Sequence, residues 1–166
     1  MPIAFNPQSG LIYTTSWNLP RIQKLAPPKP QVMGADSTGV TSRQPPVKPG
    51  DALGYFVAIE PLTGARKWEI PLTDFASSAG MLATGGGLVF TGKASGEFVA
   101  LDEATGATLW QFKTGSSVNA TAITYTHKGR QYVSIASGLG GNAARRMAGD
   151  KVPTGGAMWT FALMPE

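Results

Sequence analysis

The sequence repeats the stretch GYFVAIEPLTGARKWEIPL (residues 54–72) as GEFVALDEATGATLWQFKT (residues 96–114), and the second copy begins 42 residues after the first. A period of about 40–45 residues is typical of four-stranded β-propeller blades. In each copy a short apolar run precedes a Thr-Gly pair, and a tryptophan follows four residues later. We therefore predict that each copy forms the third and fourth strands of one blade.

The turns between these two strands contain the same residue types in both copies. Gly64 and Gly106 follow a threonine, and glycine adopts the positive φ that tight turns require. Glu60 and Asp102 stand at equivalent positions before the turns. We expect each carboxylate to orient its turn by accepting hydrogen bonds from main-chain N–H groups.

The repeated tryptophans, Trp68 and Trp110, are predicted to open the fourth strands. A large flat side chain at the same place in each blade is suited to wedging between neighbouring blades. A buried indole N–H needs an acceptor, for which a turn carbonyl is the candidate. We therefore interpret Trp68, Trp110, Gly64 and Gly106 as the structural repeat of the fold, a tryptophan docking motif.

The residues that precede each copy of the repeat are also similar: residues 10–15 (GLIYTT) resemble residues 87–92 (GLVFTG), and each run is predicted to be a second strand. In the first blade an insertion at residues 19–51, which contains seven prolines, separates this strand from the repeat. We expect the insertion to be irregular or polyproline-like. A third unit is predicted from strands at 120–126, 131–136 and 157–163, with a turn at 127–130.

The predicted fold class is therefore all-β, a partial β-propeller of about two to three four-stranded antiparallel blades. The chain is expected to form a single propeller segment. Residues 2–15 and 54–72 would make the first blade, residues 78–114 the second, and residues 118–163 most of a third. Because a closed propeller needs at least four blades, we expect this chain to be a piece of a larger propeller, completed by blades that it lacks.

The composition excludes several classes of function. The net charge is +4, but the 14 basic residues are scattered and make no basic stripe of the kind that binds nucleic acid. The chain has no cysteine and one histidine, His127, which argues against a zinc site and a cysteine nucleophile. No apolar run is long enough to predict a membrane span, and residues 1–6 show no signal-peptide pattern.

Three strings of sequence resemble PQQ-dependent alcohol dehydrogenases of the methanol and ethanol type, a quinoprotein family that uses pyrroloquinoline quinone (PQQ). Residues 78–115 (SAGMLATGGGLVFTGKASGEFVALDEATGATLWQFKTG) and 126–141 (THKGRQYVSIASGLGG) are similar to the C-terminal blades of these enzymes. Residues 1–18 (MPIAFNPQSGLIYTTSWN) resemble the start of an earlier blade.

This resemblance implies an eight-bladed propeller that holds PQQ on its axis beside calcium or a lanthanide ion. It further implies oxidation of primary alcohols to aldehydes, a periplasmic location and a cytochrome c as electron acceptor. In the family the catalytic aspartate and most metal ligands precede the matched region. We therefore expect no catalytic residue and no metal site in this chain, little affinity for cofactor when it is alone, and no activity of its own.

Three places in the chain are candidates for cofactor contact by the same resemblance. The family has an asparagine-bearing segment after the strand at 11–15, and here that segment offers Asn18 or, if the register differs by one, Trp17. Residues 78–80 (Ser78, Ala79 and Gly80) match a pocket segment in which many members carry a tryptophan where this chain has Ser78. Gly141 and Asn142 match the rim of the entrance funnel. Methanol-oxidising members have a tryptophan at the position of Asn142, so its absence suggests a wider entrance and a substrate other than methanol.

An alternative function is a non-catalytic propeller that serves as a scaffold for protein interaction. Outer-membrane assembly scaffolds with the same tryptophan repeat are the precedent. A third possibility is a split subunit that a second polypeptide completes. A catalytic aspartate and adjacent cysteines in the preceding blades would discriminate the enzyme from the scaffold.

Overall fold

A computed structural model describes residues 1–27, 30, 32–34, 39–139 and 151–163 of the chain. The described residues form strands and turns, arranged as three antiparallel sheets and one separate two-stranded hairpin. The all-β partial propeller predicted from the sequence is thereby confirmed.

The first sheet has four strands in the order β1-β2-β5-β6. They are β1 (Ala4–Asn6), β2 (Leu11–Trp17), β5 (Gly54–Ile59) and β6 (Arg66–Leu72). Tyr13 pairs with Ala58, and Ala58 with Trp68, so the insertion interrupts the chain but not the sheet.

The second sheet is built in the same order from consecutive strands. They are β7 (Leu82–Ala83), β8 (Leu88–Gly92), β9 (Glu97–Asp102) and β10 (Thr108–Lys113). The third sheet contains three strands among the described residues: β11 (Ile123–His127), β12 (Arg130–Gly138) and β13 (Gly156–Ala162).

The insertion is not wholly irregular, contrary to the expectation from its prolines. Within it β3 (Ile22–Leu25) and β4 (Val40–Arg43) form an antiparallel hairpin that pairs with none of the other described strands. The described prolines of this region lie outside the two strands, where they remove no ladder hydrogen bond. The strand residues contain the β-branched Ile22, Val40 and Thr41, which favour extended backbone.

Other strand limits also differ from the predictions. β2 runs two residues further, to Trp17, because Ser16 and Trp17 continue the pairing with Tyr55 and Gly54. β11 begins at Ile123 rather than at residue 120, and the turn to β12 is tighter than expected because Lys128 and Gly129 both adopt positive φ.

The side chains of β9 alternate between two cores, as the two-residue period of a strand requires. Val99 and Leu101 belong to the core between the first and second sheets, together with Tyr13, Phe56 and Trp68. Phe98 points the other way, into the core between the second and third sheets, with Val118, Ala122 and Ile135. The second sheet is therefore covered on both faces, as a blade inside a propeller is.

The two repeated turns have the predicted hydrogen bonds. The Glu60 carboxylate accepts the N–H groups of Leu62 and Thr63. The carboxylate of Asp102 accepts those of Ala104 and Thr105 in the same way. In both turns the bond from the threonine hydroxyl is the main cause of a lowered carboxyl pKa.

Trp68 and Trp110 differ in their surroundings although the sequence repeat makes them equivalent. Trp68 is buried, and its Nε1 donates to the carbonyl of Glu103 on the neighbouring sheet. Trp110 is 40% exposed and packs edge-on against Phe161, 5.0 Å away, with no acceptor for its N–H among the described residues. The expectation of a turn carbonyl is met at Trp68. The equivalent turn for Trp110 would follow β13 and lies outside the described residues.

Candidate functional site

The second strands of the three sheets end at one edge of the molecule, where they are joined by hydrogen bonds. These strands are β2, β8 and β12, which end at Trp17, Gly92 and Gly138. Residues 77–80 lie between the first two ends and residues 116–119 between the last two. We call this set of residues the strand-end row. The turns of Glu60 and Asp102 follow the third strands, which run antiparallel to the second strands, and therefore lie at the opposite edge.

The first junction of the row joins β2 to residues 77–80. The indole Nε1 of Trp17 donates to the carbonyl of Ser77 over 2.6 Å, and Thr15 Oγ1 donates to the carbonyl of Ala79 over 2.9 Å. Two of the three places that the sequence singled out, Trp17 and the segment containing Ser78, therefore lie side by side.

Ser77 fixes the same segment to β8. Its side chain is fully buried, and its Oγ donates to the carbonyl of Gly92 over 2.7 Å while accepting the N–H of Ala79 over 3.2 Å. Thr91 Oγ1 donates to the carbonyl of Gly80. Sequence reasoning did not identify Ser77 or Thr91, because a serine or threonine that orders a neighbouring main chain has no distinct pattern.

The members of residues 78–80 differ in exposure. Ser78 is half-buried, whereas Ala79 and Gly80 are buried. A Cβ added to Gly80 would lie 2.1 Å from Thr121 Oγ1, so only glycine allows this close packing. Of these three residues, Ser78 is therefore the one that is partly exposed at this edge.

Asn18 and Trp17, which the sequence left as alternatives, occupy different positions. Trp17 is the last residue of β2, is 38% exposed and contacts residues 77–80. Asn18 is exposed beyond the strand, and its Nδ2 donates to the carbonyl of Ala52 over 3.0 Å. An exposed indole and an exposed amide are thus adjacent at one end of the row.

The second junction repeats the first one blade further on. Val118 N–H donates to the carbonyl of Lys93, and Gly138 N–H donates to that of Ser117. Asn119 Nδ2 donates to Ser117 Oγ over 2.6 Å. In the first junction the hydroxyl oxygen of Ser77 accepts the main-chain N–H of Ala79. In the second junction the hydroxyl oxygen of Ser117 accepts the side-chain amide of Asn119 instead.

The described residues include no group of three or more His, Asp or Glu side chains that would hold a metal ion. The part of the chain with assigned structure also contains no helix long and apolar enough to cross a membrane. Gly141 and Asn142, the candidates for the funnel rim, lie outside the described residues.

Comparison with known proteins relates the chain to one family. The profile of the PQQ family "Glucose/ethanol/alcohol dehydrogenase, beta-propeller domain" matches residues 54–133. The lanthanide-dependent methanol dehydrogenase of Methylorubrum extorquens is 36% identical over 154 residues, which cover 89% of this chain and 24% of that protein. The quinohemoprotein alcohol dehydrogenase of Comamonas testosteroni is 34% identical over 183 residues, which cover 99% of this chain and 25% of that protein.

Solved structures show the same relation. A europium-containing methanol dehydrogenase superimposes with a TM-score of 0.83 at 30% identity, covering 98% of this chain and 32% of that one. The chain thus spans about a quarter to a third of the length of the relatives it matches. Together with the repeated sheets and their tryptophan contact, these similarities show that the chain belongs to the PQQ-dependent alcohol dehydrogenase family, of which it forms a β-propeller segment.

Proposed function

We propose that this chain forms part of the cofactor pocket of a PQQ-dependent dehydrogenase that oxidises primary alcohols to aldehydes. The observation that carries the proposal is the junction of Trp17 with residues 77–80. This junction joins two segments that the family resemblance associates with the cofactor, across 60 residues of sequence.

The side chains at this junction suit a flat, acidic quinone. Trp17 offers part of an indole face for stacking, Asn18 an amide, and Ser78 a hydroxyl as hydrogen-bond donor. Ala79 and Gly80 complete the wall through their main chains. When bound, PQQ accepts the hydride of the alcohol, so the role of these residues is to hold and orient the ring system.

The metal ion and the catalytic base are proposed to come from outside this chain. None of the described acidic side chains gathers into a metal site, and Glu60 and Asp102 are engaged in turns at the opposite edge. Calcium or a lanthanide, which polarises the quinone as a Lewis acid, would therefore be held by the remaining blades. The chain by itself is expected to be inactive.

The partners and location follow from the same proposal. The remaining blades of the propeller would cover the open faces of the first and third sheets, where Phe5, Ile123 and Met158 are exposed. A cytochrome c would accept the electrons, and the enzyme would work in the periplasm.

The proposal is tested on the complete gene product that includes this chain, loaded with PQQ and either calcium or a lanthanide. We expect alcohol-dependent dye reduction, which the 166-residue chain alone would not support under the same conditions. Trp17→Ala and Asn18→Ala are expected to weaken PQQ binding, measured by fluorescence quenching, by about tenfold each, the effect of one lost contact.

The matched control is Glu60→Gln, which changes a polar side chain at the opposite edge and should leave PQQ affinity unchanged. Unaltered PQQ affinity in both the Trp17 and Asn18 variants would contradict the assignment of the pocket wall. Dye reduction by the 166-residue chain alone would contradict the claim that base and metal come from elsewhere.

A further inference from the structure

The insertion carries most of the net positive charge of the chain. Residues 19–51 contain five Lys and Arg residues and two Asp residues, which gives +3 of the +4 of the whole sequence. Four of the basic residues are described, and none of the four makes an ion pair with a described acidic residue. All four are exposed to solvent: Arg21, Lys24, Arg43 and Lys48. The other charged residues of residues 21–48 are Lys29 and Asp36, which lie outside the described residues and offset each other in charge.

The hairpin of β3 and β4 stands clear of the three sheets. Every residue of β3 and three of the four residues of β4 are exposed. The pairing continues to Ala26, whose N–H donates to the carbonyl of Gly39. Residues 26–39 therefore connect the strands at the end of the hairpin remote from the first sheet. The strand register places Lys24 and Arg43 on the same face of the hairpin.

The hairpin also exposes large apolar side chains towards its remote end. Leu25 is the last residue of β3, and Val32 and Met33 lie in the connecting segment. Their exposed fractions are 91%, 65% and 100%. Apolar side chains gain free energy when they leave water, so their exposure on a projecting hairpin indicates a surface that binds a partner.

The combination of these two features decides what kind of partner fits. An acidic protein surface would attract the cations, but it would not by itself give the apolar side chains an apolar environment. The surface of an anionic membrane does both, since its phosphate groups attract Lys and Arg while the region below the headgroups accepts apolar side chains.

Beyond the proposed function, we propose that the hairpin of β3 and β4 binds the surface of an anionic lipid membrane. Lys24 and Arg43 would lie at the lipid phosphates, and Leu25 and Met33 would insert between the headgroups. The hairpin follows Trp17 and Asn18 in the chain, at one end of the strand-end row. A chain bound in this way would therefore hold that end of the row close to the lipid.

The test is sedimentation of the 166-residue chain with vesicles of phosphatidylcholine alone or mixed in equal parts with phosphatidylglycerol. We expect binding to the mixed vesicles that weakens as salt is added, because salt screens exposed charges. A chain in which a glycine-serine linker replaces residues 20–46 should bind more weakly by at least about tenfold. Both chains have the same open faces on the first and third sheets, so any binding through those faces is common to the two.

Neutralisation of the two cations tests the electrostatic contribution. Each basic residue near an anionic surface strengthens binding by about fivefold, so Lys24→Gln combined with Arg43→Gln should weaken binding by about twenty-five-fold. The matched control is Lys67→Gln combined with Lys113→Gln, which removes two exposed cations from the fourth strands β6 and β10. The control should bind the mixed vesicles as the parent chain does.

Polar replacement of the apolar side chains separates a membrane from any other anionic surface. Leu25→Ser combined with Met33→Ser should weaken binding to the mixed vesicles by about tenfold, because less apolar area leaves water. Leu62→Ser changes a leucine that is equally exposed in the turn at the opposite edge, and it should leave binding unchanged. These point variants leave the sheets intact, so they test the proposal even if the linker variant does not fold.

Equal binding of the parent chain and the Lys24 and Arg43 variant to the mixed vesicles would overturn the proposal. Binding that depends on these cations but not on Leu25 and Met33 would also overturn it and would favour an acidic protein as the partner. The titration contains no PQQ, and the hairpin is not part of the proposed cofactor wall. Its failure would therefore leave the dye-reduction test of the proposed function unaffected, and the failure of that test would leave membrane binding intact.

Discussion

The indole Nε1 of Trp68 donates a 2.8 Å hydrogen bond to the main-chain carbonyl of Glu103, which lies in the turn of the neighbouring sheet. The ring itself packs against Gly106 in the same turn and lies 5.9 Å from the ring of Tyr13. The Trp68 side chain of the first sheet thus fixes the position of the second sheet. The contact between adjacent blades therefore includes a directional hydrogen bond as well as apolar packing.

Two replacements of Trp68 are expected to separate the contribution of its hydrogen bond to stability from the contribution of its packing. Trp68→Phe keeps most of the apolar contact and should lower the free energy of unfolding by about 1–2 kcal/mol, since the carbonyl of Glu103 loses its donor. Trp68→Ala also leaves a cavity and should cost about 3–5 kcal/mol. Urea unfolding monitored by circular dichroism measures both. Trp110→Phe, at the half-exposed equivalent position, is the control and should cost less than about 1 kcal/mol.

Gly106→Ala is predicted to be more destabilising than Gly64→Ala although the two glycines have nearly the same backbone conformation. Their φ angles are +75° and +74°, so an alanine at either position would be held in the left-handed region. The cost of that backbone strain, about 1 kcal/mol, is the same for both. A Cβ added at Gly106 would lie 2.8 Å from Trp68 Cδ2, whereas a Cβ added at Gly64 would have no heavy atom within 4 Å beyond its chain neighbours. Gly106→Ala should therefore cost about 1–3 kcal/mol more, the usual range for overpacking. Equal melting temperatures would contradict the close contact between this turn and Trp68.

Asn6→Ala should destabilise the junction of the first two sheets at a second point. Asn6 Nδ2 donates to Glu103 Oε2 over 2.7 Å, and both residues are buried. The substitution leaves the carboxylate without this donor, at an expected cost of about 1–3 kcal/mol in thermal or urea unfolding. In the double variant with Glu103→Ala the cost should be less than the sum of the single costs. Strict additivity would show that the two side chains do not act together.

Asp102 is expected to contribute stability that is lost in acid. The hydroxyl and N–H of Thr105, followed by the N–H of Ala104, hold the pKa of Asp102 below its ordinary value. A carboxyl with a lowered folded-state pKa contributes fully above the unfolded-state pKa of about 4 and loses that contribution as the pH falls through the folded-state value. Thr105→Val should raise the Asp102 pKa in an NMR titration and reduce the dependence of stability on pH below about 4. Thr105→Ser, which keeps the hydroxyl, should behave as the parent chain does. The pKa of Asp102 would remain low in Thr105→Val if this hydroxyl were not the main cause.

The hairpin of β3 and β4 is predicted to be dispensable for folding. Among the described strands the two pair with each other and with no third strand, and Leu25 is 91% exposed. Replacing residues 20–46 with a short glycine-serine linker should therefore change the melting temperature by only a few degrees, because closing a loop of different length has a small entropic effect. A deletion variant that fails to fold would show that the hairpin supports the first sheet.

The strand repeat, its turns and the family could all be predicted from the amino-acid sequence. Period, Thr-Gly turns and alternating apolar residues are local properties, and each acts within a few residues of chain. For this reason the sheets at 54–72 and 96–114 and the roles of Glu60 and Asp102 agree with what the sequence predicts.

Which of the equivalent positions have partners, and which polar atoms do not, depends on how the sheets pack together. Trp68 and Trp110 occupy equivalent positions of the repeat, but among the described residues only Trp68 meets a turn of a neighbouring sheet whose carbonyl accepts its indole N–H. The bonds from Trp17 to Ser77 and from Thr15 to Ala79 likewise join residues 60 and 64 positions apart, and they exist only because two sheets pack face to face. The burial of Asn119 Oδ1, which has no hydrogen-bond partner among the described residues, follows from the same packing, since shielding from solvent is a property of the assembled sheets and of no single segment.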